Sequence, residues 1–133
     1  MSQIQELHQQ AMDLVEAAFT VNLRGDLAQA IQLSRQALDK ESQAAALIAD
    51  KLDAEPTRSV LHRSAATLAI DCGEFRTAER LIAIALSGNP PQEIAEELKD
   101  LFIQINLRPY LERHGLTFDE QNLSNLTLDK KSI

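Results

Sequence analysis

Apolar residues recur at steps of three and four along most of the chain, the period of an α-helix with one buried face. Ile4, Leu7, Ala11, Leu14, Ala18 and Val21 form one unbroken stripe, broadened by Val15 and Phe19. It predicts a helix capped by Ser2 and stopped at Gly25, a residue that takes a left-handed conformation cheaply. A second stripe runs Leu27, Ile31, Ser34, Leu38, Glu41, Ala45, Ile48, Leu52, with Ser34 and Glu41 its polar members. It reads as one helix from about 27 to 53 behind the cap Asp26, with a kink near Lys40 to Ser42 as the competing reading.

Pro56 marks the third start, since proline's missing N–H costs nothing in a first turn. Leu61, Ala65, Leu68 and Cys72 face inward there, and Gly73 ends the helix. The fourth helix carries Phe75, Ala78, Leu81, Ile82, Ala85 and Leu86, and Gly88-Asn89 end it. Asn89-Pro90-Pro91 open a fifth, with Ile94, Leu98, Leu101, Phe102 and Ile105 on its stripe and Pro109 as its expected close. In the tail, Thr117 and Glu120 fit a capping box for a short helix holding Leu123 and Leu126, followed by a frayed end. The pattern predicts an all-α domain over residues 1–133: about five main helices over 3–107 and a C-terminal tail over 108–133.

One pattern occurs twice. Gly25-Asp26-Leu27, followed by Ala30, Ala37 and Leu38, returns as Gly73-Glu74-Phe75, Ala78, Ala85 and Leu86, each element 48 residues on. A repeat at fixed offset points to stacked helical hairpins. These residues resemble the tetratricopeptide repeat, in which two antiparallel helices of a 34-residue unit meet at a Gly-Asp/Glu turn. Residues 59–92 match through Gly73-Glu74-Phe75, the small Ala78 and Ala85, the bulky Ile82 between them and the closing Pro90. In the first helix of that unit Ala66 agrees in type, whereas His62, Ala65 and Ala69 stand where the family has Trp, Leu and an aromatic. Residues 11–44 match again, with Ser34 in place of the bulky residue and Ser42 in place of the proline. The longer spacing exceeds the family's unit by about four helical turns, room for the second helix to lengthen without rotating its apolar face.

The resemblance implies right-handed stacking of antiparallel hairpins and a groove lined by the first helix of each unit. Its groove positions fall on Met12, Val15, Phe19, Asn22 and Leu23, then on Val60, Arg63, Thr67, Ile70 and Asp71. Asn22, Arg63, Thr67 and Asp71 are the implied polar contacts to a protein or peptide partner. The stretch Glu55 to Leu101, with Arg63-Ser64-Ala65-Ala66 and Gly88-Asn89-Pro90-Pro91, is also similar to a segment of small uncharacterised bacterial proteins, which brings no function with it.

Charge narrows the partners. Thirteen Lys and Arg against twenty Asp and Glu leave a formal charge of -7, which speaks against nucleic-acid binding through a basic surface and suits a basic partner. No apolar run approaches the roughly 18 residues of a membrane helix, and the N-terminal residues show no signal-peptide pattern, so a cytoplasmic address and no membrane are expected. The lone Cys72 excludes an internal disulfide.

Reactive chemistry has little to build on. His8, His62 and His114 are far apart in sequence, so no paired metal-ligand spacing exists and no metal or cofactor is expected. Cys72 and His62 lie ten residues apart on one helix, about 15 Å, too far to share a proton. Glu93, Glu96, Glu97 and Asp100 suit an exposed helix face better than a desolvated acid/base pair. The expectation is a non-enzymatic protein–protein interaction module. The alternative is a structural, self-assembling homodimer, joined where an overlong second helix leaves Ala44, Ala45, Ile48 and Leu52 uncovered.

Overall fold

The computed structural model describes residues 2–116. Among these, five helices follow one another: α1 (Gln3–Leu23), α2 (Leu27–Ile48), α3 (Thr57–Asp71), α4 (Phe75–Leu86) and α5 (Gln92–Arg113). The chain is all-α. Helices α1, α2, α3 and α4 pack pairwise in chain order, consistent with stacked hairpins. Two compact units meet in sequence after Phe102, so α5 contributes its first half to one unit and its second half to the other. The expected tail helix with Thr117, Glu120, Leu123 and Leu126 lies outside the described residues.

The repeated turn recurs as geometry. Asp26 N–H donates to Val21 O at 3.0 Å and Gly25 N–H to Asn22 O at 3.0 Å. At the same offset, Glu74 N–H donates to Ala69 O at 2.8 Å and Gly73 N–H to Ile70 O at 3.0 Å. These are the paired bonds of a helix ending in a left-handed residue, with φ of 88° at Gly25 and 76° at Gly73. A Cβ at either glycine would meet nothing within 4 Å, so each is selected for its φ and not for space. The repeated alanines do the opposite job. Ala30, Ala37, Ala78 and Ala85 are all buried and let the helix backbones approach. Asp26 caps α2 by accepting from Gln29 N–H, and Ser2 caps α1 in a capping box with Gln5.

Two helix ends differ from the sequence reading. Helix α2 runs unbroken through residues 40–42, so there is no interruption at Glu41, but it stops at Ile48 and not near 53. The cause is remote in sequence. Arg58 Nε donates to Ala49 O at 2.7 Å, holding the last turn of α2 at a carbonyl that a longer helix would have used itself. Helix α5 passes through Pro109, and Gly115 terminates the next turn with φ 72°. Leu116 N–H there donates to Leu111 O, repeating the bond pattern of the two earlier turns.

The shortened α2 removes the proposed dimer arm. Ala44 and Ala45 are fully buried, and Ile48 nearly so, in a core cluster with Leu7 of α1 and Leu61 of α3. Their cover is supplied within the chain, so three of the four expected dimer-surface residues are core. Leu52 alone stays exposed, in the turns after α2.

Arg58 ties the α3 start to two helix ends. Its side chain is 2% exposed; besides Ala49 O it donates from Nη2 to Ile84 O at 3.0 Å and from Nη1 to Ala85 O at 3.4 Å. A cation among the last carbonyls of α2 and α4 also opposes the negative ends of both helix dipoles. Gly88 makes the room, because a Cβ there would collide with Arg58 Nη1. Gly88→Ala is therefore expected to destabilise by about 1–3 kcal/mol through this steric conflict, read as a lower urea midpoint at unchanged m-value.

Candidate functional site

Three helices enclose a cleft of about 320 Å³ at the end of the α1–α2 hairpin. Val15 and Phe19 of α1 and Leu27 and Ile31 of α2 form its apolar walls. Buried Ala18 and Ala30 lie beneath, with half-buried Ser34 beside them. Leu68, Asp71 and Cys72 close it from α3. Phe19 is 65% exposed and Leu27 62%, so two large apolar side chains stand in water at the cleft mouth. Contiguous exposed apolar surface of this kind is what interaction sites share.

The repeat explains why a cleft is here. Ser34 stands 48 residues before Ile82, which is fully buried in its hairpin. The first hairpin has a small polar side chain where the second has a bulky apolar one. The missing volume opens beside Ser34.

The four expected contact residues divide evenly. Asn22 and Asp71 line the cleft together. Arg63 does not; its Nη1 donates to Glu97 of α5 at 2.6 Å, an exposed ion pair. The Thr67 hydroxyl donates to Arg63 O within its own helix and also lies outside the cleft. Neither Asn22 nor Asp71 has a side-chain hydrogen bond or ion pair with the described residues. Loss of water around Asp71 pushes its carboxyl above the ordinary range.

No family model, no curated protein and no solved structure matches the chain. Its own geometry therefore carries the argument.

Cys72 lines the cleft but is not an activated nucleophile. Desolvation raises its thiol pKa, and Asp71 and Glu74 add to that against the opposing field of Arg35. His62 is buried on another part of α3, where its Nδ1–H donates to Arg58 O at 2.7 Å. Burial pushes this imidazole below its ordinary value, helped by Arg58 and opposed by the backbone bond and by Glu55. The unfolded chain then takes up a proton near the ordinary imidazole value of about 6.5 while folded His62 stays neutral. His62's contribution to stability is full above that value and declines as pH falls below it. The urea midpoint is expected to drop from neutral to mildly acid pH, and to drop less in His62→Gln.

Sequence periodicity missed a second polar cluster. Glu41 is fully buried, and its carboxylate accepts from His8 Nδ1–H at 3.0 Å and from the Ser64 hydroxyl at 2.6 Å. His8 is half-buried and turned onto Glu41. The trio joins α1, α2 and α3. Its residue types suggest a hydrolytic triad, but the connectivity does not. Ser64 hands its proton toward the carboxylate and not toward the imidazole, so nothing here activates the hydroxyl. The network satisfies a buried charge. Among the described residues no cluster of His, Cys, Asp and Glu could hold a metal ion, and no helix is long and apolar enough to cross a membrane. The acidic residues of α5 are exposed, Glu97 paired with Arg63 of α3 and Glu96 with Gln92 one turn earlier.

Proposed function

We propose that the protein is a non-enzymatic interaction module that receives a protein or peptide partner in the cleft between α1, α2 and α3. The observation that carries this reading is the pairing of exposed Phe19 and Leu27 with exposed Asn22 and Asp71, which have no side-chain partner among the described residues, around one concavity. A cleft of about 320 Å³ has room for a few side chains, the scale of a short peptide anchor. The resemblance to the tetratricopeptide repeat supports the reading, because Val15, Phe19, Asn22 and Asp71 are positions at which that family lines its groove. Ala44, Ala45 and Ile48 are core, so no dimer through them is proposed.

Affinity capture from native extract tests the reading with three chains. The wild type and Arg63→Glu are expected to recover the same proteins, and a Phe19→Asp/Ile31→Asp chain to lose them. Identical recovery by all three would place the working surface elsewhere.

A further inference from the structure

The lining of the cleft is apolar apart from Asn22, Ser34, Asp71 and the Cys72 thiol, and of these Asn22 and Asp71 are exposed and have no side-chain partner among the described residues. Asp71 is the telling one. Its side chain is exposed at the α3 edge of the apolar walls and has no countercharge among the described residues, so a partner that covers those walls brings its own charge up against this carboxylate. Arg35 is close enough to act on the Cys72 thiol, yet no ion pair joins it to Asp71. The chain's net charge of -7 draws the same kind of partner at longer range.

We propose, resting on the reading of the cleft as a docking site, that its occupant is a segment of a partner protein that presents an apolar side chain next to a lysine or arginine. The apolar side chain enters between Phe19 and Ile31, above Ser34. The cation sits on Asp71, and the Asn22 amide orients the partner's backbone or an uncharged polar group. An acidic partner would place like charges together at Asp71. A purely apolar partner would cover the carboxylate and leave it unpaired. Both lose what the basic partner gains.

Selection from a random-peptide display library against the full chain tests this. Peptides whose binding is abolished by Phe19→Asp are expected to be enriched in Lys or Arg beside an apolar residue. Asp71→Asn is expected to weaken those peptides about tenfold, as loss of a charge-assisted contact at a partly exposed site does. Asp71→Lys is expected to turn the preference toward Asp and Glu. Phe19-dependent peptides with no charge preference, or with affinity unchanged in Asp71→Asn, would overturn the proposed chemistry and leave the cleft as a docking site. No Phe19-dependent peptide at all would overturn both. Binding that requires removal of residues 117–133 would assign the cleft to the chain's own tail and overturn the partner proposal.

Discussion

Arg58→Ala is expected to cost about 3–5 kcal/mol of unfolding free energy, the largest effect of any single side chain outside the apolar core. The guanidinium is 2% exposed and donates to three backbone carbonyls, Ala49 O at 2.7 Å, Ile84 O at 3.0 Å and Ala85 O at 3.4 Å. Ala49 O, at the end of α2, has no other donor among the described residues, whereas in the last turn of α4 Ile84 O also accepts from the Ser87 hydroxyl and Ala85 O from Gly88 N–H. Alanine strands the Ala49 carbonyl, takes one donor from each of the other two and leaves a cavity. Removing the cation also removes the favourable charge at two helix C-termini and leaves half-buried Glu55, 3.9 Å away, without its nearest countercharge. The burial cost of the guanidinium in the native chain offsets part of the gain, which is why the net figure is far below the sum of the bonds. Arg58→Lys is expected to recover less than half, because one ammonium cannot reproduce a planar fork aimed at separate helix ends. Urea unfolding followed by circular dichroism reads both. A loss under about 1 kcal/mol for the alanine variant would show that the bonds are not energetically coupled to folding.

Glu41→Ala is the second large effect, about 2–4 kcal/mol. The carboxylate is fully buried at the junction of three helices and satisfies His8 of α1 and Ser64 of α3. Alanine removes the acceptor for both and opens a polar void between the hairpins. Glu41→Gln keeps a carbonyl oxygen for one of the two donors, so its loss is expected to be roughly half as large. A cycle of His8→Ala, Glu41→Gln and the double variant should show coupling, because the two groups share one bond. Additive losses in that cycle would mean that the His8 contact contributes nothing to stability.

Periodicity made the helices legible, and its exceptions turned out to hold the more useful information. In the α2 stripe Ser34 and Glu41 are the polar members among apolar ones. Ser34 borders the cleft, and Glu41 is the hub of the buried network. Each departure from the pattern marks a place where packing is replaced by something else. The turn glycines were legible because a positive φ has few alternatives to glycine. The end of α2 was not, because the stripe stays in phase to Leu52 and the residue that halts the helix, Arg58, lies in the next one. The same limit explains the dimer surface. Ala44, Ala45 and Ile48 look uncovered only if α2 overhangs its neighbours, and Leu7 and Leu61 cover them instead. At the candidate site, Asn22 and Asp71 could be read from the repeat, but the loss of Arg63 to Glu97 is a contact over 34 residues that no local pattern encodes.

The helical fold needs the two buried charges, and the proposed function needs the cleft to be open. Ser34→Ile tests the second claim at little risk to the first. It gives the first hairpin the isoleucine that the second already has at Ile82. The decisive measurement is an amide chemical-shift titration of the full chain with a basic, apolar peptide selected against it. The expected result is perturbation concentrated at residues 15–34 and 68–72 in the wild type, and its disappearance in a Ser34→Ile chain whose spectrum remains that of a folded helical protein. Perturbation centred on α5, or equal binding by the Ser34→Ile chain, would contradict the assignment of the cleft as the working surface.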